Sequence, residues 1–377
     1  MRSDRASGRL AERVARRESE ILAGLASAGT DSKPLSLRLQ PLQARSVHEI
    51  AILEVAEAAG HVRYFVKATA PGYIGQQDLS AESQVLGEIG PKIAARNPRT
   101  RCPGLVSFLP EEKLLIEEFV QGQSLKSLLF DFPRHRADLE GLLALSGEWL
   151  AHFHTQTQEG CANPFDWLLK ELSSDAVAAT FRRCSIASLH SQALQLLLSF
   201  RVHYPKLSRS LCRVHGEFTP LHILVQGEAL YVIDFGSSHS GFAEEDLARF
   251  STFYEGLLPW RHAIALWRCS VYRQIERFLD SYKIHAGQAT GPEDKAVSCF
   301  ARICAMAHQQ TNWERKPRRY REKYSLKVGR SWTRRRFASL ARRELSRLRR
   351  LAEAETANES RLSRWPVALG ADTPAGN

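Results

Sequence analysis

Long apolar runs are missing from this 377-residue chain; none approaches the ~20 residues that a bilayer span needs. The opening stretch, MRSDRASGRLAERVARRESE, is charged and polar without an apolar core, so no secretory signal is expected. The seven cysteines, at 102, 161, 184, 212, 269, 299 and 304, are odd in number, and no two stand at the two-residue spacing of zinc or redox motifs. They are expected to be reduced thiols that pack as small apolar groups in a cytoplasmic protein. No internal repeat is visible. With 44% apolar and 25% charged residues, the composition excludes a disordered or fibrous chain, and the length suits two lobes or domains.

The net charge of +11 is not spread evenly. Residues 311–350 hold 16 Lys/Arg and 3 Glu, a surplus of 13, and the other 337 residues carry a net −2. The chain therefore reads as a near-neutral globule with a strongly basic C-terminal segment. A nucleic-acid partner for the whole chain does not follow from the charge.

Periodicity predicts a helix over 8–27, with Leu10, Val14, Ile21 and Leu25 near one face. Gly29, Asp31, Ser32 and Pro34 end it. Two strands are expected at 48–55 and 61–68, joined by the 57–60 turn region. Pro71, Gly72 and Gly75 break the pattern. Residues 79–97 read as helical, with Ser80 as N-cap and a division at Pro91. Strands are expected again at 104–109 and 113–119. Beyond Gln121-Gly122 the pattern becomes helical at 136–157, 164–174, 176–182, 186–203, 244–280 and 293–311. A strand–loop–strand segment at 212–234 interrupts it. The last ~15 residues look loose.

That interruption is the most informative stretch. Val214-His215-Gly216-Glu217-Phe218-Thr219-Pro220-Leu221-His222-Ile223-Leu224-Val225 is followed, after a Gly227 turn, by Tyr231-Val232-Ile233-Asp234-Phe235-Gly236. Phosphoryl transfer from ATP needs one carboxylate to orient and deprotonate an acceptor hydroxyl. It also needs a nearby ligand and a second carboxylate to hold magnesium against the phosphates. Kinase catalytic loops place the base and the first metal ligand five residues apart, in H-R-D-x-x-x-x-N, followed by D-F-G. Here Glu217 and His222 are five apart, His215 stands two before Glu217, and Asp234-Phe235-Gly236 follows.

These residues resemble the aminoglycoside phosphotransferase and choline-kinase-like family, whose loop reads H-G-D-x-x-x-x-N before an apolar strand and an Asp. Asp246-Leu247-Ala248 is similar to the family's D-L-A segment, and Leu150-Ala151-His152-Phe153-His154 to its L-A-x-L-H helix end. The resemblance covers about residues 40–280. It implies an α+β, bilobal kinase-like fold, with a small β-rich N-lobe, a larger mainly helical C-lobe and a basic C-terminal helix. The implied divisions are a helical extension over 1–34, a nucleotide-binding N-lobe over 35–120, a C-lobe over 121–312 with the catalytic loop and acceptor site, and a basic tail over 313–377.

It also implies roles. Lys67, at a strand end after Val66, would contact the ATP phosphates, and Glu82, fifteen residues on, would hold it as an ion pair. Residues 117–120 would form the hinge, with Glu118 and Val120 offering backbone groups to adenine. No G-x-G-x-x-G precedes Lys67, so the 44–48 segment with Ser46 is the candidate phosphate-covering turn. Glu217 would be the general base, with His215 bracing the loop beside it. Asp234 and His222 would face Mg²⁺. His154 and Asp246 are expected to hold the loop by packing and hydrogen bonds.

Two positions depart from the family pattern: Glu217 replaces the usual Asp, and His222 the usual Asn. Glu keeps the carboxylate on one more methylene. Imidazole leaves three readings for His222: Mn²⁺ in place of Mg²⁺, a phosphate contact, or loss of one metal site. The expected function is ATP-dependent phosphoryl transfer to a hydroxyl of a small molecule: a sugar, an amino alcohol or a glycolipid headgroup. A catalytically degenerate pseudokinase that binds nucleotide or acts as a scaffold is the rival. A lipopolysaccharide-type sugar kinase at the inner membrane surface differs in acceptor alone. Arg182, Arg183, Arg201, Lys206, Arg209 and Arg213 in 176–213 lean against a polycationic drug as acceptor. In 332–352, Phe337, Leu340, Ala341, Leu345, Leu348 and Leu351 recur at helical spacing among arginines. The stripe either docks on the helical lobe or makes an interfacial helix on an anionic membrane surface or acidic glycolipid. A peripheral location at the inner membrane face goes with the second option. No recognised motif supports nucleic acid.

Overall fold

A computed structural model describes residues 10–27, 36–42, 48–57, 60–69, 79–130, 136–257, 265–287, 291–315 and 330–362. Four sequence expectations lie outside these residues: the helix-ending Gly29, Asp31, Ser32 and Pro34, the phosphate-covering Ser46, the breakers at 71–75, and the loose character of the last ~15 residues. The chain divides into two compact units, 1–162 with 209–289, and 163–208 with 290–377.

The first unit opens on a helical stretch over 10–16 and then α1 (Glu18–Ser27). Strands β1 (Ser36–Pro41), β2 (His48–Glu57) and β3 (Gly60–Thr69) follow, with β5 (Leu105–Leu109) and β6 (Leu114–Glu118) completing an antiparallel sheet in the order β1-β2-β3-β6-β5. Strand alternation sorts its side chains onto two faces. Ala51, Leu53, Val55, Val66, Ala68, Leu114 and Ile116 face one way and form a core with Leu10, Val14, Ile21 and Leu25 of the N-terminal helices. The predicted apolar face of 8–27 is thus what covers this sheet. The opposite face carries Lys67 and Leu115, paired directly across β3 and β6, and Phe65 opposite Glu117.

The expected division near Pro91 is present. Helix α2 (Leu79–Gln84) passes through a wider π-turn at Val85–Ile89 into α3 (Gly90–Arg96), which has Pro91 in its first turn. Two-residue strands β4 (Thr100–Arg101) and β7 (Gln123–Ser124) come before β5 and after β6 in the chain. Helices α4 (Leu125–Phe130) and α5 (Arg136–Gln156) follow, then β8 (Gln158–Ala162). The 212–234 segment proves to hold three strands, β9 (Arg209–Val214), β10 (Ile223–Gln226) and β11 (Ala229–Val232). β9 lies between β8 and β12 (His239–Gly241), while β10 and β11 make a hairpin between β7 and β4. Sequence reading missed β1, despite its alternating Leu37 and Leu39, and also β4, β7, β8 and β12, which have two to five residues and no apolar alternation to mark them.

Helices α9 (Ala243–Leu257) and α10 (Ala265–Ala286) complete this unit. Its main core places Trp149 of α5 against Phe153, Phe218 and Phe235, with ring centroids 5.1, 5.8 and 5.9 Å away. One indole therefore supports both the polar loop and the Asp-Phe-Gly segment.

In the second unit lie α6 (Pro164–Leu172), α7 (Asp175–Arg183), α8 (Ala187–His203), α11 (Pro292–Arg315) and α12 (Arg330–Leu362). Asn163 caps α6 by accepting from Phe165 N–H at 2.9 Å. The basic segment is the 33-residue α12, packed on α11 and α8. Phe337, Ala341, Leu345 and Leu348 are buried, so its apolar stripe is taken up within the unit. Glu344, also fully buried, pairs with Arg302, Arg343 and Arg347. Six cysteines among the described residues are free thiols. No helix of the described residues is long and apolar enough to cross a membrane.

One close approach tests the core. A Cβ at Gly147 of α5 would land on the backbone carbonyl of Phe278 in α10, which cannot swing aside as a side chain could. Gly147→Ala is expected to lower the unfolding free energy by about 1–3 kcal/mol. Urea melts monitored by tryptophan fluorescence would show it as a lower midpoint; an unchanged midpoint would contradict this packing.

Candidate functional site

Three segments far apart in the chain meet at one ammonium. Lys67 Nζ lies 2.7 Å from Glu82 Oε1 and 3.2 Å from Asp234 Oδ1. The strand register aims Lys67 at the helix side of the sheet, and Glu82 comes from the first turn of α2. Glu82 Oε1 also accepts the backbone N–H of Phe235 at 3.1 Å, tying the helix to the Asp-Phe-Gly segment. Burial by itself would lower the Lys67 pKa, but the flanking carboxylates of Glu82 and Asp234 outweigh it and hold the pKa above the ordinary lysine value. Burial would raise the Asp234 pKa, but the charge and hydrogen bond of Lys67 outweigh it and hold the carboxyl well below the usual range. It sits at φ +71°, a left-handed conformation that Asp tolerates better than most residues.

The polar loop between β9 and β10 approaches the same point. Gly216 has φ +79°, and a Cβ there would strike the Ser237 carbonyl, so the glycine is required. Asp246, fully buried at the start of α9, accepts from His215 N–H at 2.7 Å and Gly216 N–H at 3.0 Å. His154 Nε2 reaches the same carboxylate at 3.1 Å, and its Nδ1 meets the Tyr282 hydroxyl at 3.1 Å. This chain of contacts clamps the loop from behind. Burial would raise the Asp246 pKa, but His154 and the loop N–H groups lower it overall. His154 and Asp246 thus brace the loop, as expected from sequence; Tyr282 was not foreseen.

His215 is buried. Its Nε2 donates to the Ile233 carbonyl at 3.1 Å, and its Nδ1 accepts from Glu217 N–H at 3.3 Å. Burial pushes its pKa down to about 4, so it is neutral at pH 7 and spans the loop and the end of β11. Glu217 follows it, half-buried, and no hydrogen-bond partner holds its carboxylate among the described residues. His222 Nδ1 donates to the Glu217 carbonyl at 2.7 Å, and its Nε2 faces Asp234 Oδ2 at 3.7 Å. One ligand atom from each of Glu217, His222 and Asp234 lies within 4.8 Å of the others, the one such group among the described residues.

At the expected hinge, Glu118 N–H donates to the Gly104 carbonyl and its side chain accepts from Gly104 N–H. Val120 lies just past the end of β6, outside any strand. Of three neighbours on the Lys67 face, sequence reading did not single out Phe65, and it took in Glu117 and His48 only as part of the expected hinge (117–120) and phosphate-covering segment (44–48). Phe65 places its ring centroid 6.0 Å from Lys67 Nζ. Glu117 is buried with Oε2 unpartnered among the described residues, and burial pushes its pKa up to about 8. His48, buried, is likewise unpartnered at Nε2. Alternation from Lys67 along the paired strands was the available signal; burial was not.

The neutral His215 has a measurable consequence. In the unfolded chain it would take up a proton near 6.5, the ordinary histidine value, whereas in the folded chain it resists protonation down to about 4. Its contribution is fully present above about 6.5 and is lost as pH falls toward 4, by about 3 kcal/mol. Melting temperatures measured from pH 8 to 4 should fall through that window. His215→Phe should start lower at pH 8 and fall less steeply; parallel curves would contradict the assignment.

The phosphotransferase enzyme family model matches residues 27–278. Among solved structures, a protein assigned as an aminoglycoside phosphotransferase from Ralstonia eutropha aligns at 15% identity and a TM-score of 0.55, over 88% of this chain and 98% of its own. A choline/ethanolamine kinase family protein from Mesorhizobium loti aligns at 14% identity and 0.43, over 89% and 95%. A choline kinase from Cryptosporidium parvum aligns at 12% identity and 0.47, over 90% and 97%. No curated protein matches the chain. The Ralstonia alignment speaks to the fold, and the family match spans both the strand lysine and the Asp-Phe-Gly segment. This chain belongs to the phosphotransferase enzyme family and has its α+β, kinase-like fold.

Proposed function

We propose that the protein transfers the γ-phosphoryl group of ATP to a hydroxyl of a small molecule. The observation that carries this reading is the convergence of Lys67, Glu82 and Asp234 on one buried ion cluster beside the Glu217–His222 loop. Lys67, held by Glu82, orients the α- and β-phosphates. The Phe65 ring on the same face offers a flat apolar surface to the base, and the Glu118 carbonyl and Val120 backbone meet its polar edge. In this reading residues 35–120 bind the nucleotide, and 121–312 carry the catalytic loop and the acceptor's hydroxyl.

The donor set fits a divalent cation: two carboxylates and an imidazole nitrogen gather at one point, and Lys67 neutralises only one of the two carboxylates it touches. Asp234 and His222 are the residues that would hold it, with Glu217 beside them left free as the base. Such an ion supplies charge neutralisation to the phosphate oxygens. Glu217 takes the acceptor's hydroxyl proton as the new O–P bond forms. The bond from the γ-phosphorus to the β–γ bridging oxygen breaks, and ADP leaves with that electron pair. Asp246 and His215 keep the loop in place but touch no reacting atom.

The test is ATP turnover with Mg²⁺ and with Mn²⁺ against a panel of sugars, amino alcohols and glycolipid headgroups. Lys67→Ala, Glu217→Ala and Asp234→Ala should each lower kcat/KM by about 10²–10³-fold. Nucleotide binding with no transfer under any metal would favour the pseudokinase reading, which the Glu217 and His222 departures support. Absence of nucleotide binding would overturn both.

The basic tail suits a membrane-held acceptor, such as a lipopolysaccharide-type sugar, on a cytoplasmic protein peripheral to the inner membrane face. Exposed Arg335, Arg342 and Arg349 recur every seven residues on α12, and exposed Leu198 and Val202 lie on the neighbouring α8. Phosphate headgroups match that charge. The full chain should co-sediment with vesicles containing phosphatidylglycerol but not with neutral ones, and the combined Arg335→Glu and Arg342→Glu variant should lose this. Equal sedimentation of wild type and variant would refute it.

A further inference from the structure

We infer that His222 is a metal ligand through Nε2 and that it turns the cation preference of this site from Mg²⁺ toward Mn²⁺. The inference rests on the phosphotransferase reading and specifies its metal.

The hydrogen bonds decide which nitrogen is available. His222 Nδ1 lies 2.7 Å from the Glu217 carbonyl oxygen. A carbonyl only accepts, so Nδ1 carries a proton. In the neutral imidazole this leaves the lone pair on Nε2. That atom faces Asp234 Oδ2 at 3.7 Å, beyond hydrogen-bond range. Two ligands each about 2.1 Å from one ion lie about 3–4 Å apart, so the separation suits a shared cation. A ligating histidine usually donates its other ring N–H to a carbonyl or carboxylate, which fixes ring and tautomer. The Glu217 carbonyl plays that part, five residues before His222 in the same loop.

The surroundings agree. Lys67 already touches Asp234 through Oδ1, leaving Oδ2 on the His222 side. The His215 ring lies nearly parallel to His222, 12° between planes with centroids 5.9 Å apart, and its own nitrogens are engaged by Ile233 and Glu217. Among the described residues no hydrogen bond therefore diverts His222 Nε2 from the centre of the site. Magnesium favours an all-oxygen shell, whereas ions later in the first transition row accept imidazole nitrogen readily. Mn²⁺ takes both carboxylate oxygen and imidazole nitrogen, which is the donor set present.

The experiment uses the full-length protein with ADP and Mn²⁺ followed by electron paramagnetic resonance. Wild type should show imidazole ¹⁴N coupling to bound Mn²⁺, and His222→Asn should lose it while still binding Mn²⁺. Competition titration should show the Mn²⁺ over Mg²⁺ preference falling by ~10-fold or more in His222→Asn. Bound Mn²⁺ without ¹⁴N coupling, or an unchanged preference in the variant, would overturn the ligand assignment and leave the phosphotransferase reading standing. If wild type bound neither ion with or without ADP, both would fall.

Discussion

A single buried ammonium shared between two carboxylates organises this protein. Lys67 comes from a sheet, Glu82 from a helix, and Asp234 from the turn after a hairpin. Removing the ammonium would leave two carboxylates facing each other out of water, a loss typically of about 3–5 kcal/mol. The cluster is also one positive charge short of neutrality. That deficit explains why burial and its acidic neighbours push Glu117 up to about 8 despite Lys67. It also makes the adjoining group of Glu217, His222 and Asp234 a place where added positive charge is stabilising.

Around this cluster the molecule fixes backbone more firmly than side chains. Asp246 holds two consecutive loop N–H groups, His154 and Tyr282 hold Asp246, and Trp149 supports the phenylalanines on both sides of the loop. Glu217 is the loop's one carboxylate, and it has no hydrogen-bond partner among the described residues. A rigid frame with one unrestrained carboxylate is what proton abstraction from a bound hydroxyl needs, because the base must be free to take up a proton at the moment of reaction. The extra methylene of Glu over Asp extends its reach without altering that frame.

The second unit solves a different problem. A 33-residue helix rich in arginine would repel itself and stay solvated on its own. Burying Phe337, Ala341, Leu345 and Leu348 against α11 and α8 anchors it, and Glu344 gathers Arg302, Arg343 and Arg347 inside the contact. The arginines left outside then form a row on a helix whose apolar side is already occupied. Any attraction to a membrane through this helix is electrostatic, not insertion of its stripe.

By itself the sequence determined the order of elements and the identity of the ion cluster. Strand alternation, helical spacing and the sequence of Lys67, Glu82, the His215–His222 loop and Asp234 are local patterns, and chain chemistry at short range is enough to read them. It also carried the two departures, Glu217 and His222. What only the tertiary structure decided was environment. Whether the stripe of α12 faced protein or lipid, which nitrogen of His222 was occupied, and that Tyr282, Phe65, Glu117 and His48 stand around the site all depend on contacts between distant segments. The short strands β4, β7, β8 and β12 exist for the same reason: each is specified by the edge it pairs with, and two to five residues carry too little pattern to announce a partner that lies far away along the chain.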